Sequence, residues 1–426
     1  MSQEVIVNIR DVTIQGEGVG THEGLTIFVD GALPGEKVLA KIVEKKSAYA
    51  KAELIEIIES SPNRIKPICP VFGKCGGCQI MHLAYEEQLN LKRKRVIDSF
   101  ERIGKLKDSS VAVCVASPKP LHYRNKVQLP VDENLKVGLY VKRTHNIVPI
   151  ETCYIQSEAG NRILGNLHLV EGIRHVLFRT NRKGESLVVL VTRENPTQEV
   201  KKMAKAISLM EGVKGVLHGL NARDDNVLYS DAYTLLFGEG VIREDVLGMH
   251  VEISPASFFQ VNLEQAENLY KKAYELADLK IGDRVVDAYC GIGVFCIYLA
   301  KKGVNVIGIE MIESAVEDAK KSAKANGADV DFRLGRVEDI IDDLDDLDVI
   351  FLNPPRKGCE ERVLEASIIK KPKKIIYTSC DPATLARDLQ FFAAQGYSKV
   401  EAYPFDMFPQ TMHVEIVVKI EKGECV

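Results

Sequence analysis

The chain has 426 residues, 46% apolar and 27% charged, with a formal net charge of −4. That length suits about three domains at roughly 150 residues each, and the composition excludes a disordered or fibrous chain. The longest charge-free stretch, Ala288 to Ala300, has 13 residues, short of the roughly 20 that span a bilayer. The N-terminal MSQEVIVNIRDV shows no basic start followed by an apolar block, so a cytoplasmic enzyme with no membrane partner is expected.

In chain order, residues 1–60 alternate short apolar runs with Gly-rich breaks, VIVNI, GEGVG, LTIFVD and AELIEII, which predicts a small OB-like β-barrel of a kind that often binds nucleic acid. SPNRIKP reads as a linker into a central domain over 61–250. Residues 61–150 hold 16 Lys or Arg against 7 Asp or Glu, an asymmetry that points to a polyanion partner. Leu89, Val96, Ile97, Phe100 and Ile103 recur at helical spacing up to Gly104, predicting a helix whose outer face carries Lys92, Arg93, Lys94 and Arg95. That run is expected to contact RNA phosphates, the plain alternative being a solvated helix face. KVQLPV, LKVGLYV, HVLFR and SLVVLVT make the rest of this domain β-rich. From 251 to 426 strands and helices alternate, which predicts a Rossmann-like α/β domain with ligands at the carboxyl ends of its strands. No internal repeat or low-complexity tract interrupts the chain.

DAYCGIG follows a buried strand and opens a helix, so Gly291 and Gly293 allow backbone to approach a ligand. Cys296 stands where a dinucleotide fingerprint has its third glycine, which argues against NAD. Glu310 closes the next strand, where a carboxylate can take both ribose hydroxyls of a nucleoside. S-adenosyl-L-methionine suits this pattern best; Asp287 could instead merely cap the following helix. NPPR, from Asn353 to Arg356, ends a strand at the same edge. An aromatic residue after Asn-Pro-Pro would suggest an amino-group methyltransferase, and Arg356 weakens that reading.

YTSCDPATLARD places Cys380 at a strand end just before a helix starting near Pro382, where backbone N–H groups are expected to stabilise a thiolate. Cys290 competes by position, and burial as a structural cysteine is the ordinary alternative. Glu415 begins the last apolar strand, a costly place for a carboxylate without work or a partner. A thiol, a carboxylate and an adenosyl methyl donor together suit methylation of a pyrimidine carbon: a thiolate adds to C6, C5 becomes nucleophilic, and a base then removes the C5 proton. Separately, Cys69, Cys75 and Cys78 in CPVFGKCGGC, with a distant fourth cysteine, form a thiolate metal pattern for which zinc is the usual occupant.

SFFQVN, DAYCGIG, NPPRKG, TSCDPATLARD and FDMFPQTMHVE, in this order, resemble the RNA 5-methyluridine methyltransferases over essentially the whole chain, specifically the branch acting on 23S ribosomal RNA. The resemblance implies Cys380 as nucleophile, Glu415 as base, and Gln260, Tyr289, Glu310 and Asn353 as contacts to S-adenosylmethionine. Many relatives carry Asp at the Asn353 position. It also implies a TRAM domain over residues 1–60, a uracil stacked on Phe258, and a [4Fe-4S] cluster on Cys69, Cys75, Cys78 and Cys153, iron and four thiolates being a reasonable match. A monomer modifying 23S rRNA is therefore expected; a tRNA enzyme is the runner-up, and a non-catalytic RNA-binding scaffold leaves the cofactor motifs unexplained.

Overall fold

The computed structural model describes residues 3–106, 109–223, 233–255 and 259–423. Strands β1 (Glu4–Val12), β2 (Glu17–His22), β3 (Leu25–Asp30), β4 (Lys37–Lys45) and β5 (Tyr49–Glu59) close into a barrel in the order β1-β2-β3-β5-β4. Alternation in β1 turns Val5, Val7 and Ile9 inward, the two-residue period of a strand with one buried face. Gly20 lets β1 and β2 cross closely, since a Cβ there would lie 2.3 Å from Val7 and 2.5 Å from the Asn8 carbonyl oxygen. A cysteine-bearing segment then leads to α1 (Tyr85–Ser99), which continues into a single π-helical turn ending at Gly104.

The central domain is a five-stranded sheet built from β6 (Lys126–Pro130), β7 (Ile173–Thr180), β8 (Ser186–Thr192), β9 (Val213–Leu220) and β10 (Tyr233–Gly238), in the order β10-β9-β8-β7-β6. Helices α2 (Glu158–Gly165) and α3 (Gln198–Ser208) pack on one face. Every residue of β8, SLVVLVT, is buried, and its two faces serve different cores. Val188 and Leu190 pack with α2 and α3, whereas Leu187, Val189 and Val191 join the core of the C-terminal domain. The continuous apolar run thus records a strand covered on both sides.

A hairpin of β11 (Ile242–Val246) and β12 (Met249–Ile253) spans the expected boundary at residue 250. Beyond it come α4 (Leu263–Ala277), β13 (Arg284–Ala288), α5 (Val294–Ala300), β14 (Asn305–Glu310), α6 (Glu313–Ala325), β15 (Asp331–Leu334), α7 (Val337–Ile341), β16 (Val349–Leu352), α8 (Glu361–Ile369), β17 (Lys374–Ser379), α9 (Pro382–Ala394), β18 (Lys399–Phe405) and β19 (Glu415–Glu421). The sheet runs β15-β14-β13-β16-β17-β19-β18, with Ser110–Val111 added at the far edge. The first five strands are parallel and β19 is antiparallel. Strand order reverses between β13 and β16, which opens a crevice at their carboxyl ends. Among the described residues no helix is long and apolar enough to cross a membrane.

Candidate active site

The crevice at the β13–β16 reversal gathers the expected cofactor residues. Gln260, Tyr289 and Asn353 line one pocket with Asp287, Gly291 and Thr378. Tyr289 and Glu310 line the neighbouring one, about 330 Å³ in volume, with Met311, Val337 and Pro355. The central domain supports this wall, because Asn125 donates from Nδ2 to the Gln260 carbonyl at 3.0 Å and from its backbone to that of Val261 at 2.9 Å. The glycine loop is fixed at both ends. Gly291 N–H donates to the Glu310 carboxylate at 3.0 Å, which also accepts from the N–H groups of Met311 and Ile312. Gly293 caps α5 at φ +75°, where a Cβ would lie 2.6 Å from the Phe332 ring.

Asp287 does not cap α5: its carboxylate accepts from the Cys296 thiol at 3.2 Å. Burial pushes that carboxyl up to about 7, with the Cys296 bond opposing. Cys290 lines the cofactor pocket, on a different strand end from Cys380. Phe258 lies outside the described residues.

The catalytic candidates meet through strand register. Ser379 at the end of β17 pairs with Ile416 of β19, so the next residue along each strand sets Cys380 opposite Glu415. Directly opposed side chains stand roughly 4.5–5.5 Å apart at Cβ. Glu415 is buried, and burial raises its carboxyl to about 8 against the opposing charge of Arg356. Cys380 departs from expectation. Its thiol is pushed up to about 11, first by burial and then by the Glu415 charge, with Arg356 opposing and Asp381 adding. The helix end does not rescue it, because Asp381 occupies the free N–H groups of Ala383 and Thr384 at 2.8 and 3.2 Å. Arg356, missed as a participant in the sequence, is the cation that favours the charged form of both groups.

Cys69, Cys75, Cys78 and Cys153 line one cavity of about 470 Å³, which Arg356, Phe408, Thr411 and His413 extend toward the catalytic strand ends. Burial raises the Cys78 thiol, and Cys153, Cys75 and Cys69 add to the shift, as expected for thiols that share a site. Among the described residues no three His, Cys, Asp or Glu side chains stand as a closed metal-ligand group. Cys114 is buried elsewhere, its thiol raised to about 12 by burial and by Asp406.

The basic run of α1 is not the solvent-facing RNA surface that its sequence suggests. Lys92 is fully buried in an ion pair with Asp406 and also donates to the Phe408 carbonyl at 3.1 Å. Arg93 donates to the carbonyls of Val111 and Ala112. Lys94 bridges Asp98 and Asp11 of the barrel, and Arg95 donates to the Met412 carbonyl at 2.9 Å. Lys92, Arg93 and Arg95 hold α1 to its neighbours, and Lys94 alone of the four is exposed.

Comparison with known proteins fits this geometry. A methyltransferase-domain family matches residues 279–407 and a TRAM-domain family matches residues 2–55. An uncharacterized RNA methyltransferase of Clostridium tetani is 39% identical over 96% of this chain and 94% of its own. The chain belongs to the RNA methyltransferases. A second member, from Halalkalibacterium halodurans, is 38% identical over 98% of this chain and 96% of its own. Among solved structures, the Pyrococcus abyssi tRNA (uracil-54, C5)-methyltransferase in complex with S-adenosyl-L-homocysteine is similar at a TM-score of 0.78 and 28% identity, covering 97% of this chain and 99% of that one. In this RNA methyltransferase the sequence reading missed Met311 and Val337, the apolar walls of the Glu310 pocket; only the position of Met311 next to Glu310 could have signalled either.

Proposed function

We propose that this enzyme transfers a methyl group from S-adenosylmethionine to C5 of a uridine in 23S ribosomal RNA, working as a cytoplasmic monomer. The observation that carries the reading is the register that sets Cys380 opposite Glu415, beside a crevice lined by Gln260, Tyr289 and Asn353. Glu310, Met311 and Val337, which line one pocket, would hold the nucleoside of the cofactor, and the bound cofactor would supply an electrophilic methyl. Cys380 loses its proton to solvent, helped by the charge of Arg356, and its sulfur adds to C6 of the uracil. The electron pair moves to C5, which would take the methyl as its bond to the sulfonium sulfur breaks and S-adenosyl-L-homocysteine is left. Glu415 then removes the C5 proton, the ring double bond re-forms, and the C6–S bond breaks to return the thiolate.

The carboxyl value near 8 suits a base that works close to neutral pH. Cys69, Cys75, Cys78 and Cys153 hold a [4Fe-4S] cluster in this proposal, which when bound cross-links their segments; the four-thiol donor set and the shared cavity support it.

A tRNA substrate is the second reading. The Pyrococcus abyssi tRNA enzyme matches over 97% of this chain, barrel included, so the barrel is compatible with a tRNA substrate. Denaturing electrophoresis of labelled 23S rRNA and tRNA transcripts with S-adenosylmethionine tests both substrate and mechanism. Glu415→Gln should trap the methylated RNA as a detergent-stable adduct, and Cys380→Ala should form none. An adduct with Cys380→Ala, or full turnover with Glu415→Gln, would falsify the assigned roles.

A further inference from the structure

The loop between β18 and β19, which leads into Glu415, has no helix or strand of its own. Even so, Asp406, Met407, Gln410, Thr411, Met412 and Val414 are all buried. Buried backbone without secondary structure must find its hydrogen bonds elsewhere, and here other segments supply them. Asn262 donates to the Met407 carbonyl, Lys92 to Phe408, Tyr123 to Pro409 and Arg95 to Met412, at 2.9–3.1 Å.

Gln410 is the hub of this arrangement. Its φ is +70°, a left-handed conformation that is strained for a residue with a side chain and persists only where the surroundings over-determine it. They do so here. Gln410 N–H donates to Gln88 Oε1 at 3.0 Å, and Gln88 Nε2 donates back to Gln410 Oε1 at 3.1 Å. Gln410 Nε2 donates to the Pro120 carbonyl at 3.3 Å, and the Gln410 carbonyl accepts from the N–H groups of Gln79 and Ile80, each at 3.1 Å. Gln88 is 1% and Gln410 7% exposed, so water does not compete for the paired amides. From this hub a tight turn runs toward the base: Thr411 Oγ1 donates to the Phe408 carbonyl at 2.7 Å and accepts from His413 N–H at 3.2 Å.

We propose that Gln410 is a positioning residue for proton abstraction: its left-handed turn, fixed by Gln88 and by residues 79–80, sets where Glu415 stands against the C5 proton. The inference rests on the assignment of Glu415 as the base made above. Once Cys380 has bonded to C6 the ring is fixed, and a base must come within roughly 2.6–3.2 Å of the proton's heavy atom to act. Cys380 sits in the short connection between β17 and α9, so addition and methyl transfer do not depend on the β18–β19 loop in the same way. Residues 79 and 80 directly follow Cys78, so the hub also ties the base to the thiol cavity.

Single-turnover reactions on 23S rRNA and tRNA transcripts carrying tritium at uridine C5 separate the steps, with adduct formation read by denaturing gel and proton removal by tritium release. Gln410→Ala and Gln88→Ala should form the adduct close to the wild-type rate while slowing tritium release on the order of 10- to 100-fold. Gln410→Asn, which tolerates the left-handed region and keeps an amide, should restore part of the release rate. Gln410→Gly, unstrained at positive φ, keeps the test open if the alanine variant does not fold. Equal losses in both steps, or no loss in either, would refute the positioning role alone. Wild-type protein that forms no adduct and releases no tritium on either RNA would refute the proposed reaction and this inference with it.

Discussion

Replacing Lys92 with Met tests whether the basic run of α1 is internal or faces RNA. Lys92 and Asp406 have no exposed side-chain area, so the substitution leaves a carboxylate buried without its counter-charge. Breaking a buried pair from one side costs about 3–5 kcal/mol. With a urea slope of about 3 kcal/mol per M, the unfolding midpoint should fall by roughly 1–1.7 M. The double variant Lys92→Met with Asp406→Leu should regain part of this, because an apolar replacement of a whole buried pair is often neutral. A residue of about 1–3 kcal/mol should remain, since the Phe408 carbonyl loses its donor. Urea unfolding of the three variants gives the cycle, and RNA binding across a salt series gives the independent arm. The slope of log affinity against log salt should match wild type. Unchanged stability together with a slope reduced by about 0.7–0.9, the signature of one lost phosphate contact, would refute the reasoning.

Gly293→Ala should abolish binding of S-adenosylmethionine measured by calorimetry, because a Cβ there lies 2.6 Å from Phe332 and 2.9 Å from Ala319 at φ +75°; retained affinity would show that the loop can relax. Glu415→Gln should stabilise the fold at alkaline pH. The native carboxyl at about 8 lies above its ordinary 4.5, so the folded state holds the extra proton and stability falls as pH rises from 4.5 through 8. The variant's advantage, on the order of several kcal/mol at pH 9, should vanish near pH 4.5 in denaturation series, and a pH-independent difference would place the burden elsewhere. Cys75→Ala should lose metal and visible colour when prepared without oxygen, whereas stoichiometric zinc in the unaltered protein would exclude the cluster.

Much of this protein is local chemistry and so can be read along the chain. The alternation of strands and helices after residue 251 follows from hydrophobic periodicity. Gly291, Glu310, Cys380 and Glu415 stand out because each sits where strand ends converge, and because a donor loop, a ribose contact, a nucleophile and a base need those residue types. What the sequence could not reveal is how distant segments spend their charges. Lys92 to Arg95 read as a surface because four adjacent cations usually are one, but Asp406 lies 314 residues away and only folding brings it to Lys92. The sequence placed Cys380 beside a helix end and so suggested a stabilised thiolate. The fold gives that helix end to Asp381 and sets Glu415 opposite the sulfur, so burial and like charge win. Gln410 shows the same limit: nothing in FPQTMH marks a left-handed backbone, because that conformation comes from Gln88, Pro120 and residues 79–80, which reach it only through tertiary structure.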